Sequence, residues 1–460
     1  MRSPRYCAAL TMLFLLLAGC TGGTTPTTTP TTVEATIRGT TGAPTAASAP
    51  IATTTRPADP AGAAVEPGRG TATHTPPASA ATGVTPTLQY PAPDATLRGP
   101  LAGVTALAWS PDGRRVAAAA GDVNGPPDPR VYLWDASGAS AATLAGHTEP
   151  VTSLAWSPDG RTLATGSWDG TVRLWDATGA AVRTLVGPPE PPSDPPPPYS
   201  PPPVFGLAWS PDGGTLATGA ISFRPADTAT PTAFLPLPGL VRLWHPDGTL
   251  AATLMTDHTG GKFLNLAWSP DGALLTAGAM DYRIWRADGT PVATFRELGT
   301  PAWALAWSPD SRTLAIGDED ATVALYTAAG TLIERRWDLG GAGGVAFAPD
   351  GRTLAVNDHE DARLGDPAAA PAVGSRTPPL PQDRNPTSRY RAVWSPDGRL
   401  ATVERDRIVR LWHADGAALA ALDGCDPVVD VLAWSPDGTR LAAGARSGAV
   451  CLWRTPIAAP

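Results

Sequence analysis

Apolar and polar positions along this chain alternate in short runs broken by turn residues. In Val151-Thr-Ser-Leu-Ala-Trp156, the residues Thr152, Leu154 and Trp156 fall on one side of an extended backbone, the period-two mark of a strand. Ser157-Pro158-Asp159-Gly160 reverses the chain, because proline presets φ at the second turn position and glycine accepts the positive φ that follows. Residues 162–167 read as the return strand, Trp168-Asp169-Gly170 as a second tight turn and 171–175 as a third strand. Asp176-Ala-Thr-Gly179 turns again into a fourth strand over 181–185. The pattern predicts a four-stranded antiparallel meander with Val, Leu, Ala and Trp on both faces. One such sheet cannot bury both faces alone.

The same unit is written eight times. Its turn reads Trp-Ser-Pro-Asp-Gly at Trp109, Trp156, Trp209, Trp268, Trp394 and Trp434, with Ser311 replacing the glycine after Trp307 and Phe347-Ala-Pro-Asp-Gly351 in the sixth copy. Successive aromatics are 47, 53, 59, 39, 40, 47 and 40 residues apart, a period that points to radially or linearly stacked repeats. Stacking copies around a channel buries both faces of every sheet and leaves only short edges.

Gly146-His147, Asp169 and Leu174-Trp175-Asp176 make the chain resemble the WD-repeat β-propeller family over residues 94–460. The resemblance implies an all-β ring of four-stranded antiparallel blades, eight if each copy forms one and seven if one unit is displaced, the sixth being the weakest. Trp-Asp closes only the first two units, at Trp134-Asp135 and Trp175-Asp176. In the family a histidine, a strand hydroxyl, a turn aspartate and a strand tryptophan form a buried hydrogen-bonded set. Here the resemblance assigns it to His147, Thr165 or Ser167, Asp169 and Trp175, as a structural feature without chemistry. The last unit stops after a third strand near Trp453, and Ala95-Thr-Leu-Arg98 precedes the first unit as an orphan strand. The family implies that this N-terminal strand completes the last sheet and locks the ring.

Residues 1–20 have the form of an export signal: Arg2 and Arg5, an apolar run from Cys7 to Ala18, then small residues. The run is too short to span a bilayer, which needs about 20 residues. It ends in Leu17-Ala18-Gly19-Cys20, which resembles the lipobox of bacterial lipoproteins and implies lipid on Cys20. Residues 21–93 are Thr, Pro and Ala with few large apolar side chains, a composition expected to form a disordered tether. The expected location is therefore extracytoplasmic, anchored by lipid to a bacterial cell membrane or cell surface.

A formal net charge of −8 argues against nucleic acid as partner, since phosphate binding needs clustered Lys and Arg. No Gly-x-Ser-x-Gly, Walker loop or His-Glu-x-x-His occurs, so no catalytic residue, metal or cofactor is assigned. Asn357-Asp-His-Glu-Asp361 offers metal-type ligands but reads as a solvated turn. Cys425 lies 28 residues before Trp453 as His147 lies 28 before Trp175, so a cysteine stands in the histidine position. Cys451 is on the same strand face as Trp453. The two form a disulfide of the closing blade if their Cα atoms come within about 7 Å, and are otherwise buried thiols.

Long excursions at 121–130, 187–203, 221–239 and 366–389 are expected on the end of the ring opposite the Ser-Pro-Asp turns, and insertions on one face often mark the binding face. The candidate face centres on the third blade with Tyr199, Phe205, Phe223 and Phe234. The expected function is a membrane-tethered, non-catalytic scaffold for a protein or peptide. The alternative is a periplasmic sensor or enzyme-like propeller with a ligand site in its channel.

Overall fold

The computed structural model describes residues 92–98, 103–120, 128–188, 201–225, 234–256, 265–278, 282–295, 302–318, 323–336, 342–358, 362–365, 392–403, 408–425 and 428–455. They form eight antiparallel sheets and no helix, a β-propeller of eight blades. Strands are lettered a to d from the centre outward. Blade 2 comprises Val151–Trp156, Thr162–Ser167, Thr171–Asp176 and Ala181–Val186, within a residue of the alternation in the sequence. Blade 6 has three strands among the described residues, Ala342–Phe347, Leu354–Asp358 and Ala362–Gly365; the other seven have four.

Strand a of each blade lies beside strand a of the next, and the series closes from blade 8 (Val429–Trp434) to blade 1 (Val104–Trp109). Blade 8 is completed from the other end of the chain. Ala95–Arg98 pairs with Ala449–Arg454 in the register Ala95↔Leu452 to Arg98↔Ala449, and the Asp94 carboxylate accepts the backbone N–H of Arg454.

Eight apolar clusters fill the eight junctions between blades. Alternate residues of one strand feed two of them: Leu163 and Trp175 pack toward blade 1, whereas Ala164, Val172 and Leu174 pack toward blade 3. That division is why the strands are apolar on both faces. Among the described residues, the junction between blades 6 and 7 has the fewest buried members, Ala355, Ala392 and Leu400.

One local expectation is corrected. Period two would group Thr152 with Leu154 and Trp156, but the ladder shifts register between Val151 and Ser153. This β-bulge changes the parity, so Val151 joins Trp156 in the junction with blade 1 and Thr152 is released from it. The Thr152 hydroxyl instead donates to the carbonyl of Val204 in blade 3, and Thr105, at the matching bulge, donates to Val151 O at 2.7 Å. At the other end of strand a, indole N–H groups point back to the preceding blade. Trp109 donates to Ala433 O, Trp268 to Ala208 O and Trp434 to Val393 O at 3.0–3.1 Å.

Candidate functional site

The two ends of the ring are built differently. At the end carrying the a–b turns, each Ser-Pro-Asp-Gly segment satisfies itself. Ser157 Oγ donates to Asp159 Oδ1 at 2.6 Å and accepts from the Thr162 N–H, while Asp159 Oδ1 also accepts from the Arg161 N–H. The serine hydroxyl holds each such carboxyl below its usual value, as at Asp159, Asp212 and Asp310. Gly160 has φ +70°, and a Cβ there would sit 3.6 Å from Pro111 of the neighbouring turn, so the turns nest around the ring. With their acceptors used internally, the a–b turns at this end are closed, repeated units.

Blade 7 varies the theme, because one residue fewer separates its turn from Leu400. Arg399 is buried there. It pairs with Asp397 at 2.7 Å, donates to Gly438 O at 2.7 Å and lies over the Trp434 ring at 5.1 Å, tying the turns of blades 7 and 8 together.

At the opposite end, blade 3 stands out. Its strands b and c, Leu216–Pro225 and Phe234–Trp244, have 10 and 11 residues against 6 each in blade 2. They pair beyond a bulge as far as Pro225↔Phe234, so much of the 221–239 excursion is a continued hairpin. Beside it Phe205 occupies the bulge position taken by threonine in blades 1 and 2. Half-buried, it meets half-buried Trp168 edge to face, ring centres 5.3 Å apart, and packs toward the junction with blade 4. Gly170, after Trp168, lies so close to Pro201 that a Cβ would come within 2.5 Å of its carbonyl oxygen. Arg242 is buried below, its Nη2 donating to Pro188 O at 3.4 Å.

Of the residues expected on this face, Phe205 is therefore placed at its blade 3 end. Phe223 and Phe234 lie on the extended hairpin, with side chains outside the described residues, as is Tyr199 altogether. Trp168, read in the sequence only as a turn residue, joins them. Three of the four excursions leave from this end. The fourth is corrected: Gly365 closes strand c of blade 6 and pairs with Leu354 next to the a–b turn, so the chain departs there from the tight-turn end. The sequence pattern had offered no marker for strand d of that blade.

The structure brings His147, Thr165, Asp169 and Trp175 together at the junction of blades 1 and 2. His147 Nδ1 lies 2.8 Å from Asp169 Oδ2 and Nε2 lies 2.8 Å from Thr165 Oγ1, while Trp175 Nε1 donates to Thr165 Oγ1 at 2.9 Å. Thr165 is thus the strand hydroxyl; Ser167 donates to Glu149 O instead. Burial works against the Asp169 charge, but the His147 hydrogen bond and charge and the Thr171 hydroxyl and N–H outweigh it and lower its pKa to about 2. Every polar atom of this set faces another inside the fold, so it stiffens the junction and offers nothing to a substrate. Truncated versions recur where Trp244 donates to Thr218 and Trp412 to Thr402.

Cys425 and Cys451 form a disulfide with Cα atoms 5.9 Å apart. Cys425 lies in the connection between Ala418–Leu422, strand d of blade 7, and Val429–Trp434, strand a of blade 8, and Cys451 is in strand c of blade 8, so the bond ties that connection to the closing blade. Among the described residues no three of His, Cys, Asp and Glu group as metal ligands, and no helix is long and apolar enough to cross a membrane. His359, Glu360 and Asp361 of the acidic turn, and Cys20, lie outside the described residues.

The sequence model described as "WD domain, G-beta repeat" matches residues 92–135, 138–176, 248–285, 289–327 and 416–454. Five WD40 repeats are found in this way, together spanning under half of the chain. Each of the four WD40 matches after the first begins near strand d of one blade and ends with strand c of the next, as 138–176 runs from Ser140–Leu144 through Thr171–Asp176. This stagger is the reason an N-terminal strand is needed in blade 8. Strands a to c of blades 3, 6 and 7 fall outside the WD40 matches. Among solved structures, the chain is similar to the computationally designed Ika8 protein, with TM-score 0.59 and 19% identity over 79% of this chain and all of that one. That likeness is one of fold. No curated protein matches the chain.

Proposed function

We propose that this WD40-repeat propeller is a non-catalytic scaffold that binds a protein or peptide partner on its loop-bearing end, over blades 2 and 3. Propellers built from WD40 repeats commonly serve as protein-interaction scaffolds. The observation that carries the reading is the asymmetry of the ends. One carries the self-satisfied a–b turns, with the departure from blade 6 as its one long excursion, while the other raises the blade 3 hairpin beside the Trp168–Phe205 pair. Half-buried aromatics next to a projecting hairpin suit a protein surface, where Trp and other aromatics dominate binding energy.

The test is capture of partners by the intact chain and by two variants. In one, residues 226–233 are replaced by a two-residue turn; in the other, Phe205 is changed to Ala. Loss of the same partner from both, with the β-sheet circular dichroism retained, supports the reading. Undiminished capture by both removes this face from consideration.

Leu17-Ala18-Gly19-Cys20 supports a lipid anchor on Cys20, with residues 21–93 as tether and an extracytoplasmic site of action. Fractionation tests it: Cys20→Ala is expected to move the protein from the membrane to the soluble or precursor fraction. An unchanged membrane share for that variant would overturn the anchor.

A further inference from the structure

We propose that the Cys425–Cys451 disulfide is a redox latch on ring closure, and that its reduction releases the N-terminal strand 95–98 from blade 8. In blades 2, 3 and 4, strand c reaches back toward the preceding blade at this position through arginine. Arg283 Nη1 donates to Met255 O at 3.1 Å, Arg242 Nη2 to Pro188 O at 3.4 Å, and Arg173 lies against Gly146, whose Cβ would come within 2.6 Å of Nη1. Each is two residues before the strand-c tryptophan, as Cys451 is before Trp453. In blade 8 a covalent bond takes the place of that reach.

Blade 8 also lacks the polar set that stiffens blade 2. Cys425 stands in place of His147, Ala443 in place of Thr165 and Ser447 in place of Asp169, by the register of Leu441↔Trp453 against Leu163↔Trp175 and the positive φ of Gly448 and Gly170. Trp453 Nε1 is left buried without a hydrogen-bond partner. The disulfide holds this part of the junction, whose tight-turn end is tied by Arg399 and Trp434.

It also sits where the chain's N-terminal strand docks. Cys451 pairs with Thr96 in the closing ladder. Gly424, next to Cys425, has φ +83°, and a Cβ there would lie 2.9 Å from Pro93, the residue before Asp94 and the strand. The segment 423–425 thus supports both the bond and the entry of the strand. Ala95–Arg98 is only four residues long and, as strand d, paired on one side, the type of element that opens locally at low cost.

The sulfurs are unequally accessible. Cys451 is fully buried, whereas Cys425 is half-buried beside exposed Asp423 and Gly424. A dithiol reductant can attack Cys425 Sγ as thiolate, forming a mixed disulfide and expelling the Cys451 thiolate. Its second thiolate then attacks the reductant's own sulfur and expels Cys425. Two electrons pass from the dithiol, which leaves as a cyclic disulfide, and its two protons end on the cysteine thiols.

The test is amide hydrogen exchange on the full chain, oxidised and after treatment with a small dithiol, read by mass spectrometry over 95–98, 449–454 and, as control, 204–209. Reduction is expected to raise exchange at 95–98 and 449–454 about tenfold or more while leaving 204–209 unchanged. The double variant C425S/C451S should match the reduced protein without reductant and ignore the dithiol. Equal exchange at 95–98 in the oxidised and reduced wild type overturns the latch, as does an equal rise across all three segments. The wild-type comparison stands even if the double variant fails to fold.

Discussion

The indole Nε1 of Trp268 lies 3.1 Å from the carbonyl oxygen of Ala208, joining the inner strand of blade 4 to that of blade 3. Trp307, in the same position of blade 5, has no such partner for its Nε1. Trp268→Phe should therefore cost about 1–2 kcal/mol, because it leaves a carbonyl without its donor. Trp307→Phe should stay within about 0.5 kcal/mol. Urea unfolding of both variants measures the difference, and equal losses would mean that the indole bond contributes nothing beyond ring packing.

Thr165 serves two buried donors or acceptors at once, His147 Nε2 and Trp175 Nε1. Thr165→Val keeps the shape and orphans both, so about 2–4 kcal/mol should be lost. Adding His147→Ala to it should cost much less than the sum of the single changes, since the partners act as one network. A double-mutant cycle in urea supplies the number.

Asp169, with its folded pKa lowered to about 2, gives an acid dependence of definite sign. An unfolded aspartate titrates near 3.9. The contribution is complete above that value and fades as the pH falls toward about 2, because the unfolded chain takes up the proton first. Asp169→Asn should lower stability at pH 7 and flatten the decline between about pH 4 and pH 2. Denaturant midpoints at stepped pH would reveal an unchanged acid slope if the assignment is wrong.

Ser311 has φ 61° in a turn where glycine stands in all seven other copies, with φ between +67° and +85°. Its hydroxyl offsets the strain by accepting the backbone N–H of Asp271 in blade 4, at 3.0 Å. Ser311→Ala keeps the strain and loses the bond, and should cost about 1 kcal/mol. Ser311→Gly exchanges one for the other and should change stability by under about 0.5 kcal/mol. Thermal melts of the pair decide it.

The blade count was legible in the sequence because its signal is local: Trp-Ser-Pro-Asp-Gly encodes its own turn, and Ser157 and Asp159 close it within five residues. Ring closure was legible for a similar reason, as a strand left over at one end and a strand missing at the other. What escaped depends on partners remote in the chain. Whether Thr152 follows or breaks the alternation is decided by Val204, 52 residues away, and nothing near Arg242 announces its reach to Pro188. Trp168 looked like part of a turn because its contact, Phe205, belongs to another blade. The cysteine pair was legible by counting back from the tryptophan, because Cys425 takes the place of His147 in the connection that enters the closing blade.

The offset between the WD40 matches and blades has a consequence for how such a chain can change size. Cutting out the stretch from the start of one outer strand to the start of the next removes one strand from one blade and three from its successor. The outer strand that follows then takes the vacant edge, and every surviving sheet keeps its complement. Unequal recombination between near-identical coding stretches could therefore add or subtract a blade in a single event without ever producing an intermediate with an open edge.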